Sequence, residues 1–97
     1  MNPVMNKNQL IDAVRERCDD LPRKAVAEIV DTLFDTIQDT VADGTDVSIT
    51  GFGRFTRTER AARTGRNTQT GENIRIPASR VPAFRPGKGF KDQVNEG

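Results

Sequence analysis

Gly51-Phe52-Gly53-Arg54-Phe55-Thr56-Arg57-Thr58-Glu59-Arg60-Ala61-Ala62-Arg63-Thr64-Gly65-Arg66-Asn67-Thr68-Gln69-Thr70-Gly71 is the stretch whose reading decides the fold. Gly51-Phe52-Gly53 reads as a tight turn. Arg54–Arg60 reads as a strand, with Phe55 on one face and Arg54 on the other. From Ala61 to Gly71 almost nothing is apolar. That segment is rich in Gly, Asn and Thr, which suit turns and extended ribbon. Asn73–Pro77 resumes as a strand, with Ile74 and Ile76 on either side of Arg75. The simplest geometry is a long β-hairpin projecting from a body. A two-stranded ribbon without a packed face is marginal alone in water, so this arm is expected to be mobile until it meets a ligand.

The arm sits in a strongly basic half. Arg54, Arg57, Arg60, Arg63, Arg66, Arg75, Arg80, Arg85, Lys88 and Lys91 face only Glu59 and Glu72 between residues 54 and 91. The formal net charge of the 97-residue chain is +1, which hides this asymmetry. Residues 1–50 sum to −5 and residues 51–97 to +6. Such a chain has one face for polyanions and another that repels them. Most of the positives are Arg, which forks onto phosphate or reaches a base edge in a groove. Arg, Asn and Gln are also the side chains that read a minor groove and its width.

Upstream the period is helical. Met1–Val4 is an unpatterned leader. Asn6 is placed to cap a helix, with Gln9 as the return partner of a capping box. Leu10, Ile11, Val14 and Cys18 follow at helical spacing, and that helix should end near Asp19–Asp20. Pro22 is expected in the first turn of the next helix. There Val26, Ile29, Val30, Leu33, Phe34, Ile37 and Val41 form one apolar stripe, and Gly44 suits a left-handed cap. Asp31, Asp35, Asp39 and Asp43 recur on the opposite face, which reads as solvated or as a surface that keeps DNA away. After Gly44 the period becomes two, with Val47 and Ile49 in a strand. Val81, Ala83 and Phe84 return to the core. Lys88–Asn95 can form a last helix around Phe90 and Val94.

Composition excludes several classes. No apolar run can cross a bilayer and no signal-peptide core is present, so a cytosolic protein is expected. The single Cys18 allows no intrachain disulfide. There is no His, so Cys18 has no imidazole to activate it, and it reads as a small apolar residue on a helix face. No catalytic constellation is visible, and no cofactor or metal is expected. A domain this small has little core, and the two helical stripes exceed what one chain can cover, so a dimer is expected.

Met5-Asn6-Lys7-Asn8-Gln9-Leu10-Ile11-Asp12, Gly51-Phe52-Gly53-Arg54-Phe55, Arg60–Asn67, Gln69-Thr70-Gly71 and Val81-Pro82-Ala83-Phe84 resemble the bacterial HU family of nucleoid DNA-binding proteins, which includes integration host factor. The resemblance runs from Met5 to about Asn95. It implies an α+β chain in an intertwined dimer: a helical body, a three-stranded antiparallel sheet per chain, and a protruding β-hairpin arm that curls into the minor groove. The whole of 1–97 is then one domain. Residues 5–44 are its helical dimerisation part, and 45–95 its sheet, arm (about 58–76) and C-terminal helix. The implied function is non-enzymatic, largely sequence-independent binding of double-stranded DNA, for compaction of the nucleoid in the cytoplasm. A homodimer is expected, with a heterodimer formed with a paralogue as the alternative.

On this reading Arg60, Arg63, Arg66, Asn67, Gln69 and Arg75 lie along the arm in the groove, with Thr68 at its tip. Arg54, Arg57, Arg80, Arg85 and Lys88 contact phosphates from the saddle beneath. Lys7 touches flanking DNA. Two departures stand out: Met1–Val4 precedes the family's usual start, and Thr68 replaces the proline usual at the arm tip. Three rival functions remain. One is a site-preferring architectural factor like integration host factor. Another is an RNA-binding module, for which the arm offers no aromatic residue to stack on bases. The third is a structural protein whose acidic helix face recruits a basic partner.

Overall fold

The computed structural model describes residues 2–97; Met1, part of the expected leader, lies outside the described residues. In chain order the elements are α1 (Lys7–Arg17), α2 (Arg23–Ala42), β1 (Val47–Ile49), β2 (Gly53–Arg60), β3 (Arg63–Arg66), β4 (Asn73–Ile76), β5 (Ser79–Pro86) and α3 (Lys88–Glu96). The chain divides into two compact units, Met1–Gln38 and Asp39–Gly97.

The first unit is held by a small apolar cluster. α1 starts on the expected capping box: Gln9 N donates to Asn6 Oδ1 and Asn6 N to Gln9 Oε1, both at 2.9 Å. Ile11 of α1 is buried with Val26 and Val30 of α2, and Leu21 and Ala27 pack against them. Two boundaries differ from the sequence reading. α1 stops at Arg17, with Cys18 as its C-cap donating to Arg15 O, so Cys18 lies off the helix face. Pro22 precedes α2 instead of sitting in its first turn. Its carbonyl takes the first helical bonds, from Ala25 N at 3.0 Å and Val26 N at 3.2 Å.

The apolar stripe of α2 is only partly used. Val26 and Val30 are buried, but Ile29 is 58% exposed, Leu33 52% and Phe34 37%. The opposite face is not uniformly solvated either. Asp31 is half-buried and ion-paired, whereas Asp35, Asp39 and Asp43 are exposed.

The second unit is built on an antiparallel sheet of order β1-β2-β5, with β3-β4 as a separate two-stranded ribbon. The segment read only as returning to the core is thus a full strand, β5. Pro82 inside it masks the signal, and it is tolerated because β5 lies at the sheet edge. Four phenylalanines gather in one aromatic cluster, in which Phe52 and Phe84 keep an exposed edge. Phe55 and Phe84 face each other across β2 and β5, with ring centroids 4.8 Å apart. Phe52 stacks on Phe90 of α3 at 5.4 Å. Backbone bonds tie the Gly51-Phe52-Gly53 turn to α3: Gly87 N donates to Phe52 O at 2.8 Å and Phe90 N to Gly51 O at 3.1 Å.

Gly53 is required by this packing. A Cβ there would fall 2.5 Å from Phe84 Cε1 and 2.7 Å from Arg85 O. Gly53→Ala must therefore push the ring or the strand aside, and overpacking of this kind costs about 1–3 kcal/mol. Thermal unfolding should show a lower Tm for Gly53→Ala; an unchanged Tm would mean that the aromatic cluster yields freely.

Candidate nucleic-acid interface

Strand register sorts the basic residues. β2 and β5 pair without a bulge from Gly53↔Pro86 to Arg60↔Ser79. Alternation then puts Arg54, Thr56, Thr58 and Arg60 on one face, with Ser79, Val81, Ala83 and Arg85 beside them. Phe55, Arg57 and Glu59 take the other face, with Phe84, Pro82 and Arg80. The five residues expected in one phosphate-binding saddle are therefore not brought together. Arg54 and Arg85 are directly opposite each other on the first face, Arg57 and Arg80 lie on the second, and Lys88 opens α3.

Carboxylates distinguish these groups further. Arg54 donates to Asp46 Oδ2 from Nε at 3.1 Å and from Nη2 at 2.7 Å. This pair offsets the like charge of Arg85 across the ladder. Glu59 Oε1 lies 3.3 Å from Arg57 Nη2 and 3.7 Å from Arg80 Nε. Lys88 Nζ reaches Asp92 at 2.8 Å one turn along α3. In the first unit Lys7 Nζ meets Asp31 Oδ1 at 2.9 Å. The hydrogen bond and charge of Asp31, with Asp35 further off, raise the Lys7 ammonium pKa above the usual lysine value. Among the described residues, Arg60, Arg63, Arg66, Arg75 and Arg85 have no carboxylate within 4.0 Å.

The arm proper spans residues 63–76; Arg60, expected along it, is the last residue of β2. Its ladder pairs Arg63↔Ile76, Thr64↔Arg75, Gly65↔Ile74 and Arg66↔Asn73. One face thus carries Thr64, Arg66, Asn73 and Arg75. The other carries Arg63 with Ile74 and Ile76, which close over Gly65: a Cβ there would meet Ile76 Cδ1 at 2.8 Å.

The tip is organised by its own polar groups. Asn67 N donates to Glu72 O at 2.8 Å and Gly71 N to Asn67 O at 2.7 Å. Asn67 Oδ1 accepts from Gln69 N at 2.9 Å, an Asx turn. Arg66 Nε donates to Gly71 O at 3.2 Å. Thr68 and Gln69 are exposed at the end.

Sequence reasoning missed three roles: Asp46 as partner of Arg54, Glu59 as partner of two arginines, and the bond from Arg57 Nη1 to Ala42 O at 3.0 Å. Arg57 and Glu59 stand two apart in a strand and so share a face, a signal that was available. The other two depend on register and on where α2 ends.

Comparison with known proteins identifies the family. Residues 5–95 match the family described as "Bacterial DNA-binding protein". DNA-binding protein HU 1 of Bacillus subtilis is 53% identical over 90 residues, covering 93% of this chain and 97% of that one. DNA-binding protein HU of Geobacillus stearothermophilus is 52% identical over the same length, covering 99% of that chain. Among solved structures, an Anabaena HU–DNA cocrystal structure superimposes with a TM-score of 0.85 at 42% identity, covering 96% of this chain and all of that one. The chain belongs to the bacterial HU family of DNA-binding proteins.

Proposed function

We propose that this protein binds double-stranded DNA with little dependence on sequence, shaping and compacting the nucleoid in the cytoplasm. The observation that carries the reading is the arm: a two-stranded ribbon whose Arg63, Arg66 and Arg75 have no carboxylate partner among the described residues. Such guanidiniums are free to exchange condensed counterions for phosphate contacts, the main source of sequence-independent affinity. The relatives named for DNA binding and the HU–DNA cocrystal structure support the same reading. Arg63, Arg66, Asn67, Gln69 and Arg75 track the minor groove, and Arg60, Arg54, Arg85 and Lys88 meet phosphates beside it. Lys7 reaches flanking DNA by giving up Asp31.

The binding unit is a homodimer. Ile29, Leu33 and Phe34 stay wet in the single chain, and burying each such side chain is worth roughly 1.5–3 kcal/mol. A second copy offers the matching apolar stripe. Sedimentation of the free protein at micromolar concentration should give twice the chain mass; a stable folded monomer would refute this assembly.

Salt titration tests the DNA reading. The slope of log affinity against log salt should lose about 0.9 for each phosphate contact removed. Arg66→Ala should weaken binding to unrelated duplexes alike and flatten this slope. Asp46→Asn should do the reverse, because it frees Arg54 for a phosphate. If Asp46→Asn leaves both affinity and slope untouched, Arg54 takes no part.

The tip generates a further expectation. Wedging between bases costs a few kcal/mol of unstacking per step, recovered through contacts on the bent duplex. Thr68 is a poor wedge, since its hydroxyl must shed water to enter the stack. The Thr68 N–H makes no hydrogen bond among the described residues, so proline there would sacrifice none. Thr68→Pro should therefore sharpen the bend. Energy transfer between the ends of a labelled duplex would report it; an equally sharp bend in both proteins would show that Thr68 suffices or that another residue wedges.

A further inference from the structure

We infer that Arg57 is a positioning residue: it anchors the strand beneath the DNA and does not itself bind phosphate. The inference rests on the DNA-binding reading above.

α2 ends with an electrostatic problem. Its last turn holds no basic residue, while Asp39 and Asp43 stand at the negative end of its dipole. Its final carbonyls also lack partners within the helix. Asp43 N closes Asp39 O at 3.0 Å, and two more are closed beyond it: Gly44 N donates to Val41 O at 3.0 Å and Thr45 N to Thr40 O at 3.1 Å. These are the paired bonds of a Schellman cap, with Gly44 in the left-handed region at φ 95°. Ala42 O remains, and Arg57 Nη1 takes it at 3.0 Å. The other arm of the guanidinium fork reaches Glu59. A Cβ on Gly44 would lie 3.1 Å from Arg57 Nη2, so the charge lies directly against the cap. One side chain thus supplies both the missing donor and the missing cation.

Its surroundings separate it from the DNA-facing arginines. Arg57 is 25% exposed in its side chain, against 55% for Arg54. It shares its face of β2 with Phe55, and the opposite face carries Arg54, Thr56, Thr58 and Arg60. A phosphate reaching Arg57 would have to displace a helix carbonyl and Glu59 together. The fork instead ties the end of α2 to the middle of β2, the strand that runs on into the arm. Losing it should let β2 shift without removing any phosphate contact.

The test compares Arg57→Ala, Arg57→Gln and Arg60→Ala in the full chain, with random duplex DNA over a range of salt at a temperature where each is folded. Arg57→Ala should weaken binding several-fold, the scale of one lost hydrogen bond, with an unchanged salt slope. Arg60→Ala should reduce the slope by about 0.9. Arg57→Gln loses the charge but keeps an amide donor for Ala42 O, so it should leave the slope unchanged and bind more tightly than Arg57→Ala. It also decides the matter should Arg57→Ala fail to fold. A slope reduced in either Arg57 variant, as in Arg60→Ala, would overturn the inference by making Arg57 a phosphate ligand. A lower melting temperature with wild-type affinity would overturn it too, leaving a purely structural cap. Should Arg60→Ala keep the full slope, the error lies in the DNA face assigned above, and the Arg57 comparison still stands.

Discussion

The ladder between β2 and β5 is the constraint on which the second unit depends. Phe55 opposite Phe84 fixes its register, because the aromatic cluster has to fall on one face. A slip of one residue would turn every side chain to the other face. The same register that gathers the rings on one face therefore decides which arginines lie on the other. Packing and electrostatics are settled by one choice, and Gly53, pressed against the Phe84 ring, keeps that choice in place.

The first unit has the opposite character. Its buried cluster is Ile11, Val26 and Val30, a core too small to hold two helices together alone. The apolar residues that would enlarge it are present on α2 but face outward. A chain that exposes Ile29 and Leu33 in water bears a cost that a second copy can remove. In the proposed homodimer, stability and assembly are one equilibrium, dependent on protomer concentration.

Much of the fold could be read directly. The Asn6–Gln9 capping box needs only local spacing, and the structure shows both of its bonds. The change of period at Gly44 marked where helices give way to strands, and the family resemblance implied the α+β class. What escaped notice depends on distant partners. β5 was hidden by Pro82, whose tolerance depends on lying at an edge, and the edge is a property of the whole sheet. The charged residues were the least legible. A count of arginines finds a basic half, but it cannot tell that Arg54 is held by Asp46, eight residues upstream, or that Arg57 serves the end of a helix. Family resemblance pointed to the arm but is silent on ion pairs made by this chain's own carboxylates.

Those ion pairs divide the basic surface into two kinds. Exposed pairs such as Arg54–Asp46 and Lys88–Asp92 contribute at most about 1 kcal/mol each to folding, so stability is a weak reason for them. Their effect on binding is larger. When a phosphate takes a free guanidinium, condensed cations leave the DNA and the entropy gain is kept. When it takes a paired one, the displaced carboxylate gathers cations from solution and part of that gain is returned. Arg63, Arg66 and Arg75 on the arm bear no such penalty, whereas Arg54 and Lys88 on the body do. On the proposed DNA reading the three arm arginines therefore keep their full counterion gain, whereas the body, with more positive charges, returns part of its gain at Arg54 and Lys88.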